Sequence, residues 1–181
     1  MLNLETLISE EKLQERIQEL AEQISKDYEG KKITVLCLLK GGVMFMTDLV
    51  KYITVPLKME FMSVSSYGDA YKSSGVVKII KDLDEPIEGK DVLIVEDIID
   101  SGNTLQCVYN MLKERKASSL RICTLLDKKE ARQSKVNVDY VCFEIRDEFV
   151  IGYGLDYKQY YRNLPYIAVN KGWYFKIGKE N

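Results

Sequence analysis

The chain has 181 residues, 46% of them hydrophobic, enough to bury one core and too many for a disordered segment. Its 26 basic and 28 acidic side chains nearly cancel to a net charge of -2, so it lacks the basic footprint of a nucleic-acid binder. It has no histidine, which excludes Ser-His and Cys-His nucleophiles and histidine metal sites. Acid–base work then falls to carboxylates, Lys, Tyr or Cys, and any metal site should be oxygen-based, which suits Mg²⁺.

The N-terminus, MLNLETLISEEKL, has no basic stretch ahead of an apolar one, so it does not read as a secretory signal. No apolar run approaches about 18 residues, so no membrane span is expected. Residues 9–29 predict an amphipathic helix, with Leu13, Ile17, Leu20, Ala21 and Ile24 on one face. Ser9 is its expected N-cap, Glu10 and Glu11 follow, and Gly30 ends it. ITVLCLL, residues 33–39, reads as a strand buried on both faces of a parallel sheet. It stops at Lys40-Gly41-Gly42, and a helical pattern covers residues 43–52. Further strands are expected at 58–65, 76–81, 92–95, 120–126 and 140–145, with a helix over 103–116. This alternation predicts an α/β fold with a mainly parallel sheet.

Residues 65–75, SSYGDAYKSSG, form a polar loop that is long for a compact domain; it reads either as a lid or as a plain connection. Cys37, Cys107, Cys123 and Cys142 make no C-x-x-C pair, and three lie in apolar runs. Free, buried thiols in a reducing cytoplasm are the plain reading. No internal repeat, linker or second domain is visible.

The stretch that carries chemistry is VLIVEDIIDSGNTL, residues 92–105. Four apolar residues make a buried strand, and Glu96 and Asp97 follow at its carboxyl end, where open α/β sheets bind ligands. Asp100 comes next, and Ser101-Gly102-Asn103-Thr104 leads into a helix. Hydroxyls and unpaired N–H groups at a helix start make a phosphate cradle. Three acids beside it would repel a bare phosphate. The expected ligand therefore has a phosphate at one end and hydroxyl donors a few ångströms away, as a ribose phosphate does. Other phosphate motifs fail. Gly89-Lys90 runs into Asp91 and Gly178-Lys179 into Glu180, while Gly152-Tyr153-Gly154 has Tyr157 where a third glycine belongs.

VLIVEDIIDSGNT resembles the phosphoribosyl pyrophosphate (PRPP) signature of type I phosphoribosyltransferases, and more narrowly the bacterial hypoxanthine-guanine phosphoribosyltransferase family. The similarity runs through residues 35–169. It implies one phosphoribosyltransferase domain over residues 1–181: a mainly parallel twisted sheet flanked by helices, with a small hood from the N- and C-terminal segments. It also implies a cytoplasmic enzyme of purine salvage that makes IMP or GMP and pyrophosphate from PRPP and hypoxanthine or guanine. Mg²⁺ would be the cofactor, with Glu96, Asp97 and Asp156 as the acids near it. A homodimer or homotetramer is expected, with neither nucleic acid nor membrane as partner.

The resemblance assigns roles residue by residue. Asp100 to Thr104 (with Ser101, Gly102 and Asn103) hold the 5′-phosphate, and Glu96 and Asp97 the ribose hydroxyls. Lys40, Gly41 and Gly42, after a peptide that is often cis in the family, bind pyrophosphate together with Arg162. Ser66 and Tyr67 open the flexible loop. Lys128 meets the purine 6-oxo group, so adenine should be rejected. Phe149 stacks on the base, and Val150 and Asp156 face its edge. Asp100 is also the expected base or acceptor at purine nitrogen 7. Many bacterial members carry Pro where this chain has Lys129 and Arg146, so both loops beside the base pocket are expected to be looser.

Two rivals differ in class. An enzyme for xanthine or a pyrimidine would keep the PRPP loop, but Lys128 with Phe149 favours a 6-oxopurine. A PRPP-sensing regulator of RNA or DNA should show a basic stripe, and no cluster of five or more Lys or Arg occurs. The sequence leaves hypoxanthine against guanine open.

Overall fold

The computed structural model describes residues 3–66 and 77–171. The chain order is β1 (Leu4–Ile8), α1 (Glu10–Asp27), β2 (Ile33–Leu39), α2 (Val43–Tyr52), β3 (Leu57–Ser66), β4 (Val77–Lys81), β5 (Asp91–Ile99), α3 (Asn103–Glu114), β6 (Ser119–Asp127), a 3₁₀ turn (Lys129–Ala131), β7 (Tyr140–Glu144), β8 (Val150–Ile151) and β9 (Ile167–Asn170). Helix α1 forms as its periodicity requires. Leu13, Ile17, Leu20, Ala21 and Ile24 are all buried, and the Ser9 hydroxyl accepts the Lys12 N–H at 3.4 Å. Glu10 and Glu11 lie at the positive end of its dipole.

The main sheet has six strands in the order β4-β3-β2-β5-β6-β7, parallel except for the β3–β4 pair. Strand β2 sits inside it between β3 and β5 and is buried along nearly its whole length, which explains the unbroken apolar run. Leu13, Ile17, Phe45 and Leu49 from α1 and α2 cover one face, together with Val35, Leu93 and Cys123 of the sheet. Leu105, Val108 and Leu112 of α3 cover the other, against Leu36, Ile94 and Ile122.

Strand β5 is longer than its apolar run suggests. It continues through both acids to Ile99, because β6 keeps pairing with it: Glu96 faces Thr124, Ile98 faces Leu126 and Ile99 faces Asp127. Strand β2 stops pairing with it at Cys37 opposite Val95. Beyond Val95 one edge of β5 therefore opens toward the residues that follow β2. The chain leaves β2 through α2 to β3 on one side, and leaves β5 through α3 to β6 on the other. The gap between β2 and β5 is the topological switch point where such sheets bind ligands.

Strands β1, β9 and β8 form a second, antiparallel sheet, which is the expected hood from the two ends of the chain. Its strands were not foreseen individually. Among the described residues, no helix is long and apolar enough to cross a membrane.

Candidate active site

The carboxyl ends of β2, β5 and β6 supply the site. After β5, Glu96, Ile98, Ile99, Asp100, Ser101, Gly102, Thr104 and Leu105 line a cavity of 170 Å³. Gly102 takes φ +75° and starts α3. The Asn103 N–H lies 3.4 Å from the Ser101 hydroxyl. The loop after β6 braces this turn from outside: the N–H groups of Gln133 and Ser134 both donate to the Ser101 carbonyl, at 2.9 and 3.0 Å. Sequence reading named Ser101 to Thr104 but not these two residues, whose signal is purely tertiary. A larger hollow of 470 Å³ opens at the amino end of the sheet among Lys32, Lys58 and Lys90, without a helix start to hold an anion.

Glu96 and Asp97 lie inside the strand, not just beyond it. Burial, with the Asp97 charge beside it, holds the Glu96 carboxyl well above the usual range. Such a pair invites hydroxyl donors or a cation. The Asp97 carboxylate reaches the loop after β2, where a β-carbon on Gly41 would sit 1.6 Å from Asp97 Oδ2. The Leu39–Lys40 peptide ahead of that glycine is cis. Gly154, at φ +99°, packs onto the other side of Gly41, with room for no side chain.

Lys128 follows β6 directly and is 7% exposed. Its N–H donates to the Ile99 carbonyl at 2.9 Å, which fixes it beside the end of β5. Its ammonium lies 3.5 Å from Asp100 Oδ2 and 3.1 Å from Asp147 Oδ1. Asp100 thus both lines the cavity after β5 and pairs with the buried ammonium. Lys129 forms an ion pair with Glu144, tying the loop after β6 to β7. The chain thus has an exposed ion pair at the position where the family resemblance expects proline.

The segment after β7 brings the remaining residues. Val150 is buried in β8, paired with Val169. Phe149 stands edge-on to Tyr157, ring centroids 5.9 Å apart at 84°. The guanidinium of Arg162 donates to the Gly154 carbonyl at 2.6 Å and pairs with Asp156 Oδ1 at 2.8 Å. Gln159 Oε1 accepts from Lys40 at 3.3 Å and from Arg162 at 3.2 Å. The two basic groups expected at pyrophosphate are therefore held by one amide that sequence reading missed. Ser66 closes β3 opposite Val77. Tyr67 lies outside the described residues.

Burial pushes the Cys37 thiol up to about 12, with Glu96 and Asp97 adding to the effect, so it is no nucleophile. All four cysteines are free. Among the described residues, no three acids or thiols converge to cage a metal. Mg²⁺ does not need that: it keeps waters and takes one or two carboxylates plus substrate oxygens. The crowded Glu96–Asp97 pair fits such a role, and Asp156 offers a further oxygen although Arg162 holds it here.

A family model for the phosphoribosyl transferase domain matches residues 5–158. The hypoxanthine-guanine phosphoribosyltransferase of Streptococcus thermophilus is 51% identical over 165 residues, covering 91% of this chain and 92% of that protein. The bifunctional protein TilS/HprT of Listeria monocytogenes is 53% identical over 165 residues, or 91% of this chain; the chain spans only 26% of that longer protein. The crystal structure of a hypoxanthine phosphoribosyltransferase from Staphylococcus aureus is similar with a TM-score of 0.92 and 49% identity, over 96% of this chain and 94% of that one. Similarity of this extent, in sequence and in fold, settles the family: the chain belongs to the phosphoribosyltransferases, among their hypoxanthine-guanine members.

Proposed function

We propose that the chain transfers the 5-phosphoribosyl group of PRPP to hypoxanthine or guanine, yielding the nucleoside monophosphate and pyrophosphate in purine salvage. One observation carries this reading: Asp100 joins a cavity of 170 Å³ at the start of α3 to a buried Lys128, 3.5 Å away. A ligand that fills both ends has a phosphate, a sugar and a carbonyl-bearing base.

In this mechanism, Ser101 to Thr104 hold the 5′-phosphate. Glu96 and Asp97 accept hydrogen bonds from the ribose hydroxyls. The Lys40-Gly41-Gly42 loop binds the pyrophosphate, and Arg162 joins it on exchanging its Asp156 contact. Phe149 covers the base, the Val150 main chain and Asp156 read its edge, and Lys128 donates to the 6-oxo group. The base nitrogen displaces pyrophosphate at the anomeric carbon with inversion, through an oxocarbenium-like state. Asp100 accepts the proton or hydrogen bond at nitrogen 7. Glu96, Asp97 and Asp156 are the acids that would hold Mg²⁺, which when bound would supply positive charge against the leaving pyrophosphate. No protein nucleophile takes part, so catalysis rests on positioning and electrostatics. Assembly into a homodimer or homotetramer belongs to the same proposal, favoured by the exposed apolar Met59, Ile79 and Ile80 on β3 and β4.

A spectrophotometric assay with PRPP and Mg²⁺ tests the reading, offering hypoxanthine, guanine, xanthine, adenine and uracil separately. Product from hypoxanthine or guanine, abolished by EDTA, is expected. Product from adenine or uracil alone would overturn the base assignment, and no product from any base would overturn the reaction.

A further inference from the structure

Three neighbouring strands each lead into a charged group of one linked set at the mouth of the site. Strand β5 is followed by Asp100, β6 by Lys128, and β7, through a short turn, by Asp147. The lysine is the middle one and the buried one, its side chain 8% exposed against 59% and 65% for the two acids. A buried ammonium needs carboxylate partners to stay charged. The nearer of the two is Asp147, at 3.1 Å, while Asp100 stands at 3.5 Å.

We infer that Asp147 is a positioning residue for base selection, acting through Lys128. This rests on the proposed reaction, in which Lys128 reads the 6-oxo group. The ammonium has three N–H donors. Asp147 takes one and draws the cation to the β7 side, so that Asp100 is not its sole acceptor and a third donor is left for the carbonyl. The main chain makes this placement firm: the Ile145 N–H donates to the Asp127 carbonyl at 3.0 Å, which clamps the end of β7 to the residue before Lys128. Without Asp147 the lysine swings wholly onto Asp100. That swing takes the cation from the carbonyl and ties up the carboxylate that serves nitrogen 7. Nothing in this chain of contacts touches the pyrophosphate loop.

The test is a comparison of Asp147→Ala and Asp147→Asn with the wild type, measuring KM for hypoxanthine, KM for PRPP and the preference for hypoxanthine over adenine. For Asp147→Ala, KM for hypoxanthine should rise about 10-fold or more, the usual effect of losing a hydrogen bond to a charged group. The preference over adenine should fall with it, and KM for PRPP should change less. Asp147→Asn keeps an acceptor oxygen and should recover most of the loss. An unshifted KM for hypoxanthine overturns the inference. So does an equal rise in both KM values without rescue by Asn, which is what a merely structural acid would give. Wild-type turnover in the same assay separates the two levels: no wild-type product sinks the parent reading and this one with it, whereas an active wild type with an unshifted variant sinks only the role of Asp147.

Discussion

Gly154 rests on the main chain of Gly41 so closely that a β-carbon on it would stand 2.0 Å from the Gly41 carbonyl oxygen. Gly41 in turn rests on the Asp97 carboxylate. The segment after β8, the loop after β2 and the acid inside β5 are thus stacked with no side chain between them.

Gly154→Ala should therefore cost both stability and substrate binding. An L residue at φ +99° is strained, and its methyl group would collide with the Gly41 main chain and displace the loop. A loss of about 2 kcal/mol or more is expected, from backbone strain and the contact together. Thermal denaturation would show it as a fall of several degrees, and KM for PRPP should rise. A melting curve superimposable on the wild type would mean that the segment gives way freely.

Asp100→Asn removes the acceptor proposed for nitrogen 7 while keeping the shape of the loop. Steady-state kinetics should show kcat reduced by about 10- to 10⁴-fold, the range of a general acid–base group. An unchanged kcat takes Asp100 out of the chemistry and leaves it as a companion of Lys128.

Acid should weaken the fold through Asp48 on α2. Burial alone would raise its carboxyl, but hydrogen bonds from Lys51, Tyr153 and Gln14 outweigh that and hold it below the ordinary value of 3.8. A carboxylate depressed in the folded state stabilises above its unfolded value and loses that contribution as pH falls through the folded one. The difference in melting temperature between wild type and Asp48→Asn should therefore be full near neutral pH and shrink below pH 3.8. A difference that stays constant from pH 6 to pH 3 (about 1000-fold in proton activity) would show that the charge of Asp48 contributes nothing.

The ion pair of Lys129 with Glu144 is exposed on both sides, at 62% and 59%. Exposed pairs are worth little, so Lys129→Ala should cost under about 1 kcal/mol. Chemical denaturation measures this directly. A larger loss would make the pair a principal brace of the loop after β6, as proline is expected to be in relatives.

What could be read in the chain beforehand followed burial. Strands β2 and β5 and helix α1 announce themselves because each buries a continuous run or a regular face. The limits of β5 did not, since Glu96 and Asp97 interrupt the apolar run while β6 carries the pairing on to Ile99. Strand β1 was missed because its partner is distant: Leu4 pairs with Asn170, and such pairing leaves no local trace. The site divides in the same way. Ser101 to Thr104 sit together in sequence and were named as one group. Asp147 and Gln159 look like ordinary surface polar residues until the fold sets one on Lys128 and the other between Lys40 and Arg162.

Strands β5, β6 and β7 are parallel, with Ile99 abreast of Asp127 and Asp127 abreast of Glu144. A slip of two residues in any of them would keep every side chain on its own face, so alternation alone would not forbid it. The group at its tip would nevertheless travel about 6–7 Å, far beyond the reach of a contact at 3.1 or 3.5 Å. The interlocking of Ile94 and Ile122 with helix α3, deep in the sheet, thus works as a ruler for the charges at its rim. On the proposed reading, choice of base is gauged from the hydrophobic interior.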